Sequence, residues 1–335
     1  MRKMIFTSLM LTALAVLSGC NNDGLVSPDE GSGIFKWSVT DSVFYTTQIQ
    51  IVDENTLLIA GDFSNCYKIQ NGVKTRLELE ETDFLSSTIK FLNADYFAFA
   101  NTYSYSYPIS TKIKYFKKGI LNTISFSYGG YYDTRIFDFL LLDTNKLLIN
   151  TSDSLFIFEN SLGKKIKGSN FVLHTGRLAK SDGKIYVILF DTYQQSVSAA
   201  QIINDSLQAF SFLSDTKNIW IDNIKGKIVK EWQDIDRKTN LSYLSPQGWI
   251  TFFSSNIKYF QSIAGESIDN FYFSARDSSN KIVRGYYNGR AILEDTNFPV
   301  KDSTGLSVSM LNGTIYASRE IYSSGKSYIY KGVRR

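Results

Sequence analysis

The hairpin signal YKIQNGVKTRL, residues 67–77, returns as VRGYYNGRAIL at 283–293, and this recurrence limits the possible folds more than any other feature of the chain. Each copy is an alternating run, a two-residue Asn-Gly turn and a second alternating run, the strongest short-range sign of a β-hairpin. Comparable turns close at Gly72, Gly119, Gly163, Asp205, Gly248, Gly289 and Gly332, spaced 41 to 47 residues apart. A second set precedes them: VDENT, LNADY, LDTNK, SDGK, IKGK, SIDN and LNGT, each followed by an apolar or aromatic run such as LLIAG, FAFAN or LLINT.

Each period therefore holds an apolar strand A, a polar turn, an apolar strand B, a variable loop, a strand C ending near glycine, and an alternating strand D. Self-similarity of about 40 to 45 residues with four strands per unit is what propeller blades produce. Long helical patterns are absent, and aromatics make up 15% of the residues, in keeping with sheets packed face to face. The expected fold is all-β, a seven-bladed β-propeller of four-stranded antiparallel blades spanning residues 34–335. The last repeat leaves only Val333, Arg334 and Arg335 after Gly332, too few for an outer strand, whereas IFKWSV (residues 34–39) stands before the first blade without a partner. That N-terminal strand is expected to close the ring as strand D of blade 7, covering an otherwise open edge.

Upstream, MRKMIFTSLMLTALAVLSGC carries Arg2, Lys3 and an apolar run too short to span a bilayer, followed by small residues and a cysteine. This is an export signal, and LSGC resembles the lipobox of bacterial lipoproteins. The resemblance implies cleavage after residue 19 and lipidation of Cys20; an ordinary secretory signal ending in cysteine is the alternative. Residues 20–33, including NNDGLVSPDEGSG, lack apolar periodicity and are expected to form a flexible tether. Asn21 in the second position favours the outer membrane in that family, and either side of it fits. Loss of the signal lowers the formal charge from +4 to +2 by removing Arg2 and Lys3, which argues against a nucleic-acid partner. With Cys20 acylated, Cys66 has no cysteine to pair with. It reads as a small buried strand residue, with a reactive thiol as the alternative.

In a propeller the A–B and C–D turns share one face, and the B–C loops and D–A connections share the other. The first set here is short and uniform, while the second varies and gathers the candidate ligand contacts. These are Tyr103, Tyr105, Tyr107, Tyr131, Tyr132, Asp133, Arg135, His174, Arg177, Trp232 and Arg276. Aromatic rings with polar tips beside hydrogen-bonding groups suit a sugar face or a protein surface. The alternation of Tyr103, Tyr105 and Tyr107 with serine also fits rings that cover a blade edge.

His174 is the only histidine, which removes His-rich metal centres and restricts any Ser-His-Asp triad to this residue. Arg135, Arg177 and Arg276 have the composition of a carboxylate clamp, but no S-x-D-x-G-x-x-W box accompanies the turns. Acidic pairs such as Asp234 and Asp236 are weak signs of glycoside hydrolysis, and no D-x-[DN]-x-[DN]-G calcium loop occurs. No catalytic residue, metal or cofactor is expected.

With turns such as SDGKIYVILF and LNGTIYASRE, the chain resembles the broad group of bacterial seven-bladed β-propellers over residues 34–335. It lacks the Trp-Asp, double-Gly kelch and Gly-x-x-x-Trp docking signatures. An anchored propeller also resembles the scaffold lipoprotein of the outer-membrane barrel assembly machinery, which has eight blades. The implied role is an envelope-anchored, non-catalytic binding or scaffold lipoprotein, held to the membrane by its lipid and recognising a protein or glycan through the variable face. A propeller glycosidase or polysaccharide lyase is the alternative.

Overall fold

A computed structural model describes residues 25–26, 34–61, 65–79, 86–101, 111–126, 136–151, 154–159, 162–167, 177–181, 183–191, 196–213, 220–234, 236–299, 306–321 and 326–335. All regular elements among them are strands, arranged in seven sheets whose order follows the chain. Blade 1 is Thr46–Asp53, Thr56–Gly61, Tyr67–Gln70 and Val73–Arg76. Blade 2 is Ser86–Asn93, Tyr96–Asn101, Thr111–Lys117 and Ile120–Phe126, and blade 3 is Ile136–Leu141, Lys146–Thr151, Leu155–Glu159 and Leu162–Lys165. Blade 4 is Arg177–Ser181, Lys184–Asp191, Ser196–Ile203 and Ser206–Leu213, and blade 5 is Trp220–Ile224, Lys227–Gln233, Thr239–Ser245 and Gly248–Ser255. Blade 6 is Lys258–Ser267, Asn270–Arg276, Ile282–Tyr287 and Ile292–Glu294. Blade 7 takes strands A to C from Ser307–Leu311, Thr314–Ile321 and Lys326–Arg334, and its outer strand from the N-terminal segment Phe35–Phe44.

The B strands explain the continuous apolar runs in the sequence. Thr56–Gly61 is buried at every position, and Leu147 to Thr151 is equally enclosed. A sheet sandwiched between two neighbours has no solvent face at its centre, so alternation disappears there. The core accordingly lies in the clefts between blades. Leu58, Ala60, Cys66, Ile89, Phe97 and Phe99 join blades 1 and 2, while Leu241, Phe253, Phe260, Phe271 and Phe273 join blades 5 and 6. Each Leu, Ile or Phe among them contributes about 1.5–3 kcal/mol by leaving water. Cys66 is fully buried in the first of these clusters, in agreement with the structural reading of that residue.

Closure follows the expected pairing and extends it. Phe35–Phe44 runs antiparallel to Lys326–Arg334, from Phe35 opposite Arg334 to Phe44 opposite Lys326, with a register shift between Val39 and Asp41. Phe35 is fully buried and meets Tyr272 and Tyr286 of blade 6 edge-on at 5.7 Å. On the other flank Lys74 of blade 1 donates to Asp41 Oδ1 at 2.6 Å and to the Ser42 carbonyl at 3.1 Å. The closing strand is thereby held by both neighbours as well as by its own sheet.

All seven A–B turns fall where the sequence indicates. Two of the six glycines expected at C–D turns do not. Gly163 and Gly332 lie inside strands, opposite Phe158 and Trp37. A Cβ on either would stand 2.8–2.9 Å from the facing ring, so glycine is required there for a flat aromatic to cross the strand. At Asn71-Gly72, by contrast, both residues have positive φ, 51° and 77°, the geometry that lets a two-residue hairpin follow the twist of its strands. Within residues 20–33, Leu25–Val26 lies parallel to Ile292–Glu294 as a fifth strand on blade 6; the rest of that stretch lies outside the described residues.

Candidate functional site

The inner strands enclose a central cavity of about 1010 Å³. An innermost strand is paired on one side only, so its free edge turns N–H groups toward the neighbouring blade and the axis, and these need acceptors. Polar side chains at equivalent register positions supply them. Ser307 Oγ of blade 7 accepts from the Ile49 N–H at 3.0 Å and Ser309 Oγ from Ile51 at 2.9 Å. Gln48 Oε1 of blade 1 accepts from Ile89 at 2.5 Å, and Asp138 Oδ2 of blade 3 accepts from Leu178 at 2.9 Å.

Asp138 is the centre of this arrangement. It is 6% exposed, its Oδ1 accepts from the Phe139 N–H at 2.8 Å, and Lys90 Nζ of blade 2 lies 3.2 Å from the same oxygen. One carboxylate thus links three blades. At the turn-face end, Glu266 accepts from the Gly313 N–H at 3.3 Å and the Asn270 amide at 3.0 Å. Among the described lining residues, Lys90, Arg177, Lys180 and Lys225 outnumber Asp138 and Glu266, so the cavity favours anions.

Of the residues singled out from sequence, Arg177, Trp232 and Arg276 are described. Arg177 opens the inner strand of blade 4, is exposed, and borders the cavity beside Asp138. Arg276 ends strand B of blade 6 and donates through Nη1 to the Asn280 carbonyl at 3.0 Å and to Asn280 Oδ1 at 3.1 Å. It fastens its own B–C loop. Trp232 lies half-buried on blade 5, with its indole N–H donated to Ser242 Oγ at 2.8 Å. Cys20, Tyr103, Tyr105, Tyr107, Tyr131, Tyr132, Asp133, Arg135 and His174 lie outside the described residues. Among the described residues no three His, Cys, Asp or Glu side chains form a metal-binding group.

Blade 5 carries an ion pattern that sequence reasoning missed. Lys230 is 5% exposed, with Nζ 4.9 Å from the Trp249 ring centroid and 5.7 Å from that of Trp232. Burial lowers its ammonium to a pKa of about 8, while the two rings hold the charge. On the opposite face of the strand, burial raises the Glu231 carboxyl to about 7, against the N–H groups of Phe260 and Tyr259. Glu231 Oε2 accepts from the Phe260 N–H at 3.0 Å, so this acid joins blades 5 and 6 and is not part of the cavity lining. The cavity residues themselves had a readable signal. In QIQIVD and TIKFLN the polar members alternate with buried isoleucines, which places them on the axial side of an inner strand.

Neither the family models nor the curated proteins give a match. Solved structures do. YCF48 bound to a D1 peptide superposes with a TM-score of 0.61 at 8% identity, covering 93% of this chain and all of that one. The Cps50 (Swd1) β-propeller domain of Myceliophthora thermophila gives 0.61 at 7%, covering 88% and 99%. The GH74 xyloglucanase of Xanthomonas campestris gives 0.56 at 11%, covering 85% of this chain and 53% of its own. At such identities the likeness is one of fold: the chain is a seven-bladed β-propeller.

Proposed function

We propose that the protein is an envelope-anchored, non-catalytic binding or scaffold module that engages a protein or glycan partner through its B–C loops and D–A connections. The observation that carries this reading is the use of the polar groups around the axis. Asp138, Gln48, Ser307 and Ser309 accept backbone N–H groups of the next blade, and Glu231 does the same between blades 5 and 6. These side chains brace the ring, which leaves recognition to the loops. A structural neighbour with a bound partner, YCF48 with a D1 peptide, supports a role of this kind. Anchoring rests on the LSGC sequence ending at Cys20.

The test is capture of proteins and glycans from detergent-solubilised envelopes by the wild type and by a Tyr131→Ala/Tyr132→Ala/Arg135→Ala variant. Loss of a recovered partner with the melting temperature within a few degrees supports the reading. Unchanged recovery refutes the site. Turnover of a polysaccharide that disappears on changing one channel carboxylate refutes the non-catalytic role.

A further inference from the structure

We propose that the disk is held with its turn face toward the lipid surface and its variable face pointing away, an orientation set by the direction in which the N-terminal segment runs along blade 6. The inference rests on the reading of Cys20 as the acylated residue. Two separate observations fix the polarity. First, Leu25 and Val26 pair in parallel with Ile292 and Leu293, the beginning of a D strand that leaves the C–D turn and heads toward the variable face. The chain ahead of Leu25 therefore comes from the turn-face side. Four residues separate Cys20 from Leu25, five Cα–Cα steps with a reach of at most about 18 Å, so the acyl chains enter the bilayer close to the rim of blade 6. Second, the closing strand starts at the same face, because Phe35 lies opposite Arg334 and the Arg335 N–H donates to the Ile34 carbonyl at 3.1 Å.

The charge of this rim matches a phospholipid surface. Lys36, Arg290, Arg334 and Arg335 are all exposed there. The acids on the neighbouring turns are each engaged within the turns: Glu54 accepts from the Asn312 amide at 2.7 Å, Asp53 from the Asn55 N–H at 2.9 Å, Glu266 from the Gly313 N–H and the Asn270 amide, and Asp269 packs against Gly289. Basic residues beside a lipid anchor add electrostatic attraction to anionic headgroups within a Debye length of the surface. They also resist a flipped disk, which would carry them away from the membrane. Strand B of blade 6, Asn270–Arg276, then stands roughly along the bilayer normal.

The experiment uses full-length acylated protein in vesicles of phosphatidylethanolamine and phosphatidylglycerol doped with a headgroup spin label. Single fluorophores are attached to Ser267→Cys, at the A–B turn of blade 6, or to Ser278→Cys, in its B–C loop, each in a Cys66→Ala background. Both serines are exposed and they flank the same strand. Quenching at position 267 should exceed that at 278 by at least threefold, and the ratio should fall when Lys36, Arg290 and Arg335 are changed to Glu. Equal or reversed quenching in protein carrying the diacylglyceryl mass on Cys20 overturns the orientation alone. Protein lacking that mass overturns the anchored reading, and the orientation with it.

Discussion

Tyr272→Phe tests how the ring is latched, because it removes one hydroxyl and leaves the packing intact. Tyr272 is fully buried in strand B of blade 6; its hydroxyl donates to Asp295 Oδ2 at 2.9 Å, and the Trp37 indole N–H of the closing strand donates to the same oxygen at 2.9 Å. Asp295 is only 5% exposed. Burial raises its pKa above 3.8, with the Tyr272 and Trp37 hydrogen bonds and Arg284 acting in the opposite sense. An acid whose folded pKa is raised contributes stability in its neutral form, and this is lost as pH climbs from the unfolded value through the folded one. Loss of one donor enlarges that loss. A hydrogen bond to an ionised, buried acceptor is worth about 1.5–3 kcal/mol, so Tyr272→Phe should cost about 2 kcal/mol in urea unfolding at pH 7. The cost should shrink well below pH 3.8, where Asp295 is protonated in both states. Repeating the substitution in an Asp295→Asn background completes a double-mutant cycle. An equal cost at both pH values, or no coupling in the cycle, refutes the reasoning.

Three further outcomes follow from the same contacts. Deletion of residues 34–40 should abolish cooperative thermal unfolding in calorimetry, since blade 7 loses its outer strand and Phe35 and Trp37 leave the cluster shared with blade 6; a melt as sharp and as high as that of the parent would show that closure lies elsewhere. Glu231→Gln should flatten the pH dependence of stability. With the folded carboxyl at about 7 against an ordinary 4.5, the wild type loses up to about 3 kcal/mol as pH rises across that interval, at about 1.4 kcal/mol per pH unit, and denaturant titrations at pH 5 and 8 measure it. Gly285→Ala should cost about 1–3 kcal/mol by overpacking, because the new methyl would meet the Phe273 ring at 2.7 Å and the Leu293 carbonyl at 3.2 Å; an unchanged urea midpoint would show that the ring can move aside.

The turns and B strands were legible because their determinants are local. Asn71-Gly72 needs positive φ within two residues, and LLIAG or LLINT is apolar at successive positions because both faces are covered. Closure was legible from a mismatch, an unpaired FKWSV at one end of the chain and no room for an outer strand at the other. What was lost in the sequence depends on distant partners. Gly332 resembles a turn glycine until Trp37, 295 positions earlier, is seen lying across it. Likewise Lys230 reads as an ordinary strand lysine until sheet register brings Trp249, on the outer strand of its blade, beneath its ammonium.

The polar channel yields a more general lesson about where to look for function in this chain. A ring of antiparallel blades leaves every innermost strand with a free edge, and an unpaired N–H facing the axis carries a cost comparable to a lost hydrogen bond. Placing Ser, Gln or Asp at an inward position of the innermost strands of blades 7, 1 and 3 removes that cost there and ties each of these blades to the next at the same step. Ser307 to Ile49, Gln48 to Ile89 and Asp138 to Leu178 are three instances of one rule, and Lys90 to Asp138 adds an ion pair between blades 2 and 3. Residues chosen for this purpose produce a hydrophilic cavity whether or not anything binds in it. Both Asp138 oxygens are engaged by backbone N–H groups, so a ligand competing for this carboxylate would have to break the contacts that hold blade 3 to its neighbour.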